Sequence, residues 1–153
     1  MNEFYEKETI VLFIPNSRWS NKRPWMQLPF TIAILTFLLK GFNLQILDAN
    51  SENLTEAEVL MRLREIKPDV FLVSGIAVEY YMQYCKSFEL AKTANKSSIT
   101  VFGGIYPTLM PEEVLNLDRN INYVFIGHAE DGLQVLSIRF LKKIMMFWKI
   151  YTE

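Results

Sequence analysis

A doubly wound α/β fold is what this sequence predicts: five parallel strands in one sheet, in the order 2-1-3-4-5, with helices on both faces. Three observations lead there. Short strand-like segments recur at residues 9–15, 43–48, 69–74, 99–102 and 121–126, the first of them apolar throughout its centre and rich in β-branched residues. The stretches between them carry apolar residues at helical spacing. The first, third and fourth runs are continuous rather than alternating, as in strands covered on both faces, which puts the first strand inside the sheet. Right-handed crossovers between parallel strands then place helices on either side.

The run 9–15 (TIVLFIP) is the first strand. A polar loop, NSRWSNKRPW, leads into a helix over about 30–40, with Gly41 as the expected C-cap. Its residues Phe30, Ile34, Phe37 and Leu38 are assigned to the core. Residues 43–48 (NLQILD) form the second strand. Thr55 then reads as an N-cap with Glu58, three residues on, as its capping-box partner. The helix it opens carries Val59, Leu60, Leu63 and Ile66 on one face and stops at Pro68. Residues 69–74 (DVFLVS) make the third strand, closed by Gly75. Helical spacing returns from about 79 to 95, where Tyr80, Tyr81, Tyr84 and Phe88 are assigned to the core and Cys85 is a small core residue. The fourth strand, 99–102, ends in Gly103-Gly104 and a proline-punctuated loop. A short helix over Pro111–Leu117 has proline in its first turn and two early glutamates. The fifth strand covers 121–126, and the chain is helical again from 131.

At 153 residues and 50% hydrophobic, the chain is expected to be one packed domain. A net charge of −1 gives no general attraction for nucleic acid. The single cysteine, Cys85, excludes an intrachain disulfide and a cysteine-held iron–sulfur cluster, and points to a cytoplasmic setting. The uncharged segment 28–39 is broken by Pro29 and falls short of the roughly 20 apolar residues that span a bilayer. The amino end, MNEFYEKETI, lacks the basic start and apolar stretch of a signal peptide. No membrane association is therefore expected.

Several families share this outline, so the loops after the strands must discriminate. The loop after the first strand, PNSRWSN, has no glycine, where a dinucleotide-binding domain needs G-x-G-x-x-G. Ser17 and Ser20 make a poor phosphate loop of the flavodoxin kind. A receiver domain would end its third strand on a phosphoacceptor aspartate, where this chain has Ser74. In contrast, the P-N loop, LDAN, PDVFLVSG, GGIYPTLMPEEVL and YVFIGHAEDGL follow one another in the order and spacing of a known family. Over residues 9–136 the chain resembles the cobalamin (B12)-binding domain found at the amino end of many radical S-adenosylmethionine (SAM) enzymes, a flavodoxin-like fold.

The resemblance implies cobalamin as the ligand. It further implies that the protein gives cobalt no histidine, because D-x-H-x-x-G is missing after the first strand and the sole histidine, His128, follows the fifth. No radical SAM barrel motif is present, and nothing here would hold a [4Fe–4S] cluster. The chain then reads as a cofactor module of a larger enzyme, without catalysis of its own. Residues 137–153 form a tail of uncertain role: a packing helix, a surface for a radical SAM domain or other protein, or the out-of-frame end of a disrupted gene. The alternatives are a degenerate flavodoxin-like interaction module and an enzyme of another doubly wound family.

The expected contacts lie at the carboxyl ends of the strands, where open α/β sheets bind ligands. Gly103 and Gly104 let a ligand approach the backbone or serve a tight turn. Gly104 is expected outside the core, so that Gly104→Leu would hinder corrinoid binding without unfolding the chain. Tyr106, Pro107 and Thr108 continue that loop and line the ligand, or Tyr106 packs on the next helix. Ser74 and Gly75 offer a hydroxyl and a close approach, or satisfy the local turn. Asn16 and Ser17 sit in the loop after the first strand, as contacts or as solvated residues. Gly127, His128 and Glu130 follow the fifth strand; Glu130 also suits the start of a helix.

Overall fold

The computed structural model describes residues 8–21 and 30–127. Five parallel strands form one sheet in the order β2-β1-β3-β4-β5. They are β1 Thr9–Ile14, β2 Asn43–Asp48, β3 Val70–Ser74, β4 Ile99–Gly103 and β5 Tyr123–Val124. The helices are α1 Phe30–Leu38, α2 Glu56–Ile66, α3 Tyr81–Ala94, α4 Ile105–Leu109 and α5 Pro111–Leu117. The expected strand order and the interior position of the first strand both hold.

Alternation along the strands divides the core in two. One face presents Val11, Phe13, Leu47, Phe71, Val73 and Phe102 to α2, α3, α4 and α5 through Val59, Leu63, Tyr84, Phe88, Tyr106 and Val114. Its rings meet in a chain, with Phe13–Phe71 centroids 5.1 Å apart and Phe88–Phe102 5.3 Å apart. The other face presents Ile10, Leu12, Val70, Ile99 and Val101 to Ile32, Leu35 and Leu39 of α1 and its end.

Local signals set most boundaries. Thr55 caps α2 in a full capping box, with its hydroxyl accepting from Glu58 N–H and the Glu58 carboxylate accepting from Thr55 N–H at 2.8 Å. Lys67 closes α2 at φ 50°, in keeping with the bias against α geometry ahead of Pro68. Val59 and Leu63 are buried, with Leu60 and Ile66 packed beside them.

Other expectations are corrected. In α1 the buried residues are Ile32 and Leu35, whereas Phe30 is 80% exposed, Phe37 68% and Ile34 42%, with Leu38 half-buried. Every position of FTIAILTFL is apolar or threonine, so spacing alone does not choose the inner face. Gly41 is no left-handed cap; α1 ends at Leu38, and Phe42 N–H bonds Leu39 O across the exit. The helical stretch from 79 divides into a 3-10 turn, Val78–Tyr80, and α3. The loop after Gly104 is the short helix α4, in which Pro107 lies in the first turn and forfeits no intrahelical donor. The β5 ladder is only two residues long, extended by bonds from Asn122 N–H to Thr100 O and Phe125 N–H to Phe102 O. Cys85 is half-buried rather than sealed in the core. His128, Glu130, the helix expected from 131 and the tail lie outside the described residues.

The capping box yields a direct test. Its hydrogen bonds from Thr55 backbone and hydroxyl hold the Glu58 carboxyl below its usual range. A lowered carboxyl pKa stabilises the fold at neutral pH, and the contribution disappears as pH falls through that lowered value. Thr55→Ala should reduce unfolding free energy by about 1 kcal/mol in urea titrations at pH 7, with the gap from the parent shrinking in acid.

Candidate functional site

At the carboxyl edge of the sheet the loops after β1 and β2 are tied into one polar ledge. Asn16 is 3% exposed and Ser17 5%, so neither is solvated as the loop reading allowed. Asn16 Nδ2 donates to Asn53 Oδ1 and to Leu54 O, at 3.2 and 3.1 Å. Ser17 N–H and Oγ both donate to Asn50 Oδ1, at 3.0 and 2.7 Å. Arg18 reaches Asn50 O with its guanidinium, and Trp19 Nε1 donates to Leu54 O. Gln83, from α3, clamps the ledge by donating through Nε2 to Ser17 O and Trp19 O, at 3.3 and 2.6 Å.

A cavity of about 230 Å³ opens beside this ledge, between the ends of β1 and β3. Connections from β1 and β3 leave toward opposite sides of the sheet there, which makes it the switch point of the topology. Ile14, Pro15 and Ser17 line it from β1 and its loop, Ser74 and Ile76 from β3 and its exit. Asn50, the first turn of α1, and Tyr80, Gln83 and Tyr84 complete the wall. Tyr84 hydroxyl accepts from Ile76 N–H at 3.2 Å, and burial pushes its pKa up, so it stays protonated. The Ser74 hydroxyl makes no hydrogen bond among the described residues.

The exits of β3 and β4 cross at very close range. A Cβ on Gly104, whose φ is +104°, would run into Gly75 O and N and lie 3.0 Å from Ser74 Oγ. A Cβ on Gly75 would lie 2.5 Å from the Phe102 ring. Gly75 N–H bonds Gly103 O at 2.8 Å, and Tyr106 N–H bonds Gly75 O at 3.2 Å. The expectation that Gly104 tolerates a side chain is therefore corrected: its missing Cβ is a packing requirement. Gly103 has ordinary room, with Phe125 Cβ 3.5 Å from a built Cβ.

Tyr106 is 5% exposed and packs edge-on against Phe102 of β4 and Tyr81 of α3. Pro107 is buried beside it, and Thr108 Oγ1 accepts from Gly127 N–H at 3.1 Å, which joins α4 to the end of β5. Of the expected residues, Ser17 and Ser74 reach the cavity; Asn16 supports it from behind. Gly75, Gly103, Gly104, Tyr106, Pro107, Thr108 and Gly127 form a second sector over β3, β4 and β5. Sequence reasoning missed Asn50, Tyr80, Gln83 and Tyr84 as wall residues. One signal was present: Gln83 and Ser87 are polar residues four apart on an otherwise apolar helix face. Among the described residues no group of three or more His, Cys, Asp or Glu side chains forms a metal cluster, and no helix is long and apolar enough to cross a membrane.

Comparison with known proteins is consistent with this architecture. A family profile described as the B12 binding domain matches residues 29–137. The fold superposes on the 1.5 Å crystal structure of a novel cobalamin-binding protein from Desulfitobacterium hafniense DCB-2, with a TM-score of 0.58 at 13% identity. The match covers 85% of this chain and 57% of that one, and at this identity it shows a shared fold. The chain is also 30% identical over 83 residues to the anaerobic magnesium-protoporphyrin IX monomethyl ester cyclase of Rubrivivax gelatinosus. That alignment covers 54% of this chain but 15% of the cyclase, so the chain spans a small part of this relative's length.

The crossing predicts unequal glycines. Gly104→Ala should lose at least ~2 kcal/mol of stability, because it adds both a positive-φ penalty and a backbone clash. Gly103→Ala should stay within about 1 kcal/mol of the parent. Urea midpoints of the two variants, measured side by side, give the check.

Proposed function

The chain belongs to the B12-binding domain family, and on that premise we propose that it is a cobalamin-binding module, holding the cofactor across the carboxyl edge of its sheet. The observation that carries this reading is the cavity at the β1–β3 switch point. Its volume of about 230 Å³ is on the scale of a bicyclic base rather than of a whole corrinoid. Its aromatic wall, Phe13, Tyr80 and Tyr84, suits a flat ring, while Ser17, Ser74 and Asn50 supply polar contacts. The macrocycle would rest on the second sector, with Gly103, Thr108 and Gly127 near it and exposed Ile76, Ile105 and Ile126 as its apolar rim. Gly75, Gly104, Tyr106 and Pro107 shape that sector from beneath, and Asn16 fixes the ledge. When bound, the corrinoid supplies a cobalt that carries an alkyl group, and the protein supplies orientation and shielding.

On this reading cobalt receives no histidine from the protein. The β1 loop contains none, and the sole histidine, His128, follows β5. In sheet order β3 and β4 intervene between β1 and β5, at roughly 4.8 Å per strand.

The module works as part of a larger assembly in the cytoplasm, and a radical SAM enzyme such as a methyltransferase is the class that the motif order suggests. The small share of the Rubrivivax cyclase that the chain covers supports a modular role. Residues 9–136 are the binding unit, and the tail 137–153 is the contact to a radical SAM domain or other protein. One observation favours a second reading, a fold kept for protein interaction: α1 exposes Phe30 and Phe37 at 80% and 68%.

Hydroxocobalamin titration separates the two. On the first reading the isolated complex keeps a corrin absorbance, and Thr31→Trp, at an exposed position on the cavity wall, weakens binding at least about tenfold with an unchanged melting curve. Failure of the parent chain to bind would leave the interaction reading. Electron paramagnetic resonance of the reduced complex should show no protein nitrogen on cobalt, with identical spectra for the parent and His128→Ala. Axial nitrogen splitting that vanished in that variant would refute the histidine-free reading.

A further inference from the structure

We propose that Tyr84 is a positioning residue of the cobalamin site: its hydroxyl holds the exit of β3, and through it Ser74 and Ile76, in the form that receives the ligand. This rests on the reading of the cavity as part of that site. The β3 ladder ends where Ser74 pairs with Gly103. Gly75 is still tied to the β4 side through both its peptide groups, its N–H donating to Gly103 O at 2.8 Å and its O accepting from Tyr106 N–H at 3.2 Å. Ile76 is not. Its N–H meets no backbone carbonyl among the described residues, and the acceptor it finds is the Tyr84 hydroxyl at 3.2 Å. That bond joins a side chain of α3 to a residue that lines the cavity and is itself 42% exposed.

Packing places the phenol for this role. Tyr84 is 3% exposed, its ring centroid lies 5.1 Å from that of Phe102, and its Cε2 would stand 3.2 Å from a Cβ built on Gly75. The ring therefore passes residue 75 at contact distance, and its hydroxyl reaches the next amide because no side chain intervenes. Burial keeps the phenol protonated, so the acceptor is a neutral oxygen. The ring makes the apolar contacts, and the hydroxyl is separable from them. Phenylalanine at this position would fill the same space and leave the Ile76 N–H without a partner. The exit of β3 would then be held from the β4 side alone. Its ordering would fall to the ligand, which weakens binding.

The test compares the 153-residue chain with its Tyr84→Phe variant, by hydroxocobalamin titration and by amide hydrogen exchange without ligand, read by NMR. In the parent the Ile76 amide should be protected. In the variant it should exchange at least about tenfold faster, while the Gly75 and Tyr106 amides keep their rates within about twofold. Cobalamin affinity should fall about fivefold or more. A role in folding alone would speed exchange at all three amides together, and that outcome overturns the proposal. Unchanged affinity with a freed Ile76 amide would also overturn it, as would weaker binding with Ile76 still protected. If the variant fails to fold, exchange in the ligand-free parent decides: protection at Ile76 supports the proposal and its absence overturns it. Failure of the parent to bind cobalamin would overturn the proposed function and this inference with it, whereas the other outcomes leave that function standing.

Discussion

The edge of this sheet is organised by a single steric constraint, the crossing of the β3 and β4 exits through Gly75 and Gly104. Neither residue has space for a Cβ: one faces a phenylalanine ring, the other faces peptide backbone at positive φ. Their contact lets Tyr106 N–H reach Gly75 O, and α4 can start only there. Tyr106 then packs beneath Phe102 and beside Tyr81. From the other side, Tyr84 holds Ile76 through its hydroxyl. The β3 wall of the cavity, Ser74 to Ile76, is thus pinned between two elements that are far apart in sequence.

The opposite wall is built on a different principle. Asn16 and Ser17 bury polar atoms, and burial is tolerable only because each finds a partner in the neighbouring loop, on Asn50, Asn53 or Leu54. Gln83 joins the two halves, since α3 packs its aromatic residues against the β3–β4 side and its amide against the β1 loop. A cavity between a steric crossing and a hydrogen-bonded ledge keeps its shape without a ligand, which lowers the ordering cost of binding.

How much of this was legible follows from the nature of each signal. Continuous apolar runs defined β1, β3 and β4, because a parallel sheet leaves no polar face to interrupt them. The capping box at Thr55 was readable since both partners lie within four residues. The inner face of α1 was not, because Phe30, Ile32, Ile34, Leu35 and Phe37 are all apolar and only the sheet chooses among them. Gly103 and Gly104 were marked for a ligand's approach or a tight turn, whereas what approaches Gly104 is Gly75, 29 positions away in the chain, and Gly103 has ordinary room. The cavity draws its wall from β1, the β2 exit, α1, β3 and α3, a juxtaposition no local pattern encodes. Gln83 carried a local clue, a polar side chain at core spacing, and its meaning needed the β1 loop beside it.

The described residues brought to this edge are mostly neutral. Among the described residues, the cavity wall consists of aliphatic and aromatic side chains, hydroxyls and amides. Tyr84 is kept neutral by burial. Cys85, on α3 beyond the cavity wall, has its thiol pushed up to about 11, chiefly by burial, so that little thiolate exists at neutral pH to act as nucleophile or metal ligand. What the described wall residues offer a ligand is shape, aromatic surface and hydrogen bonds.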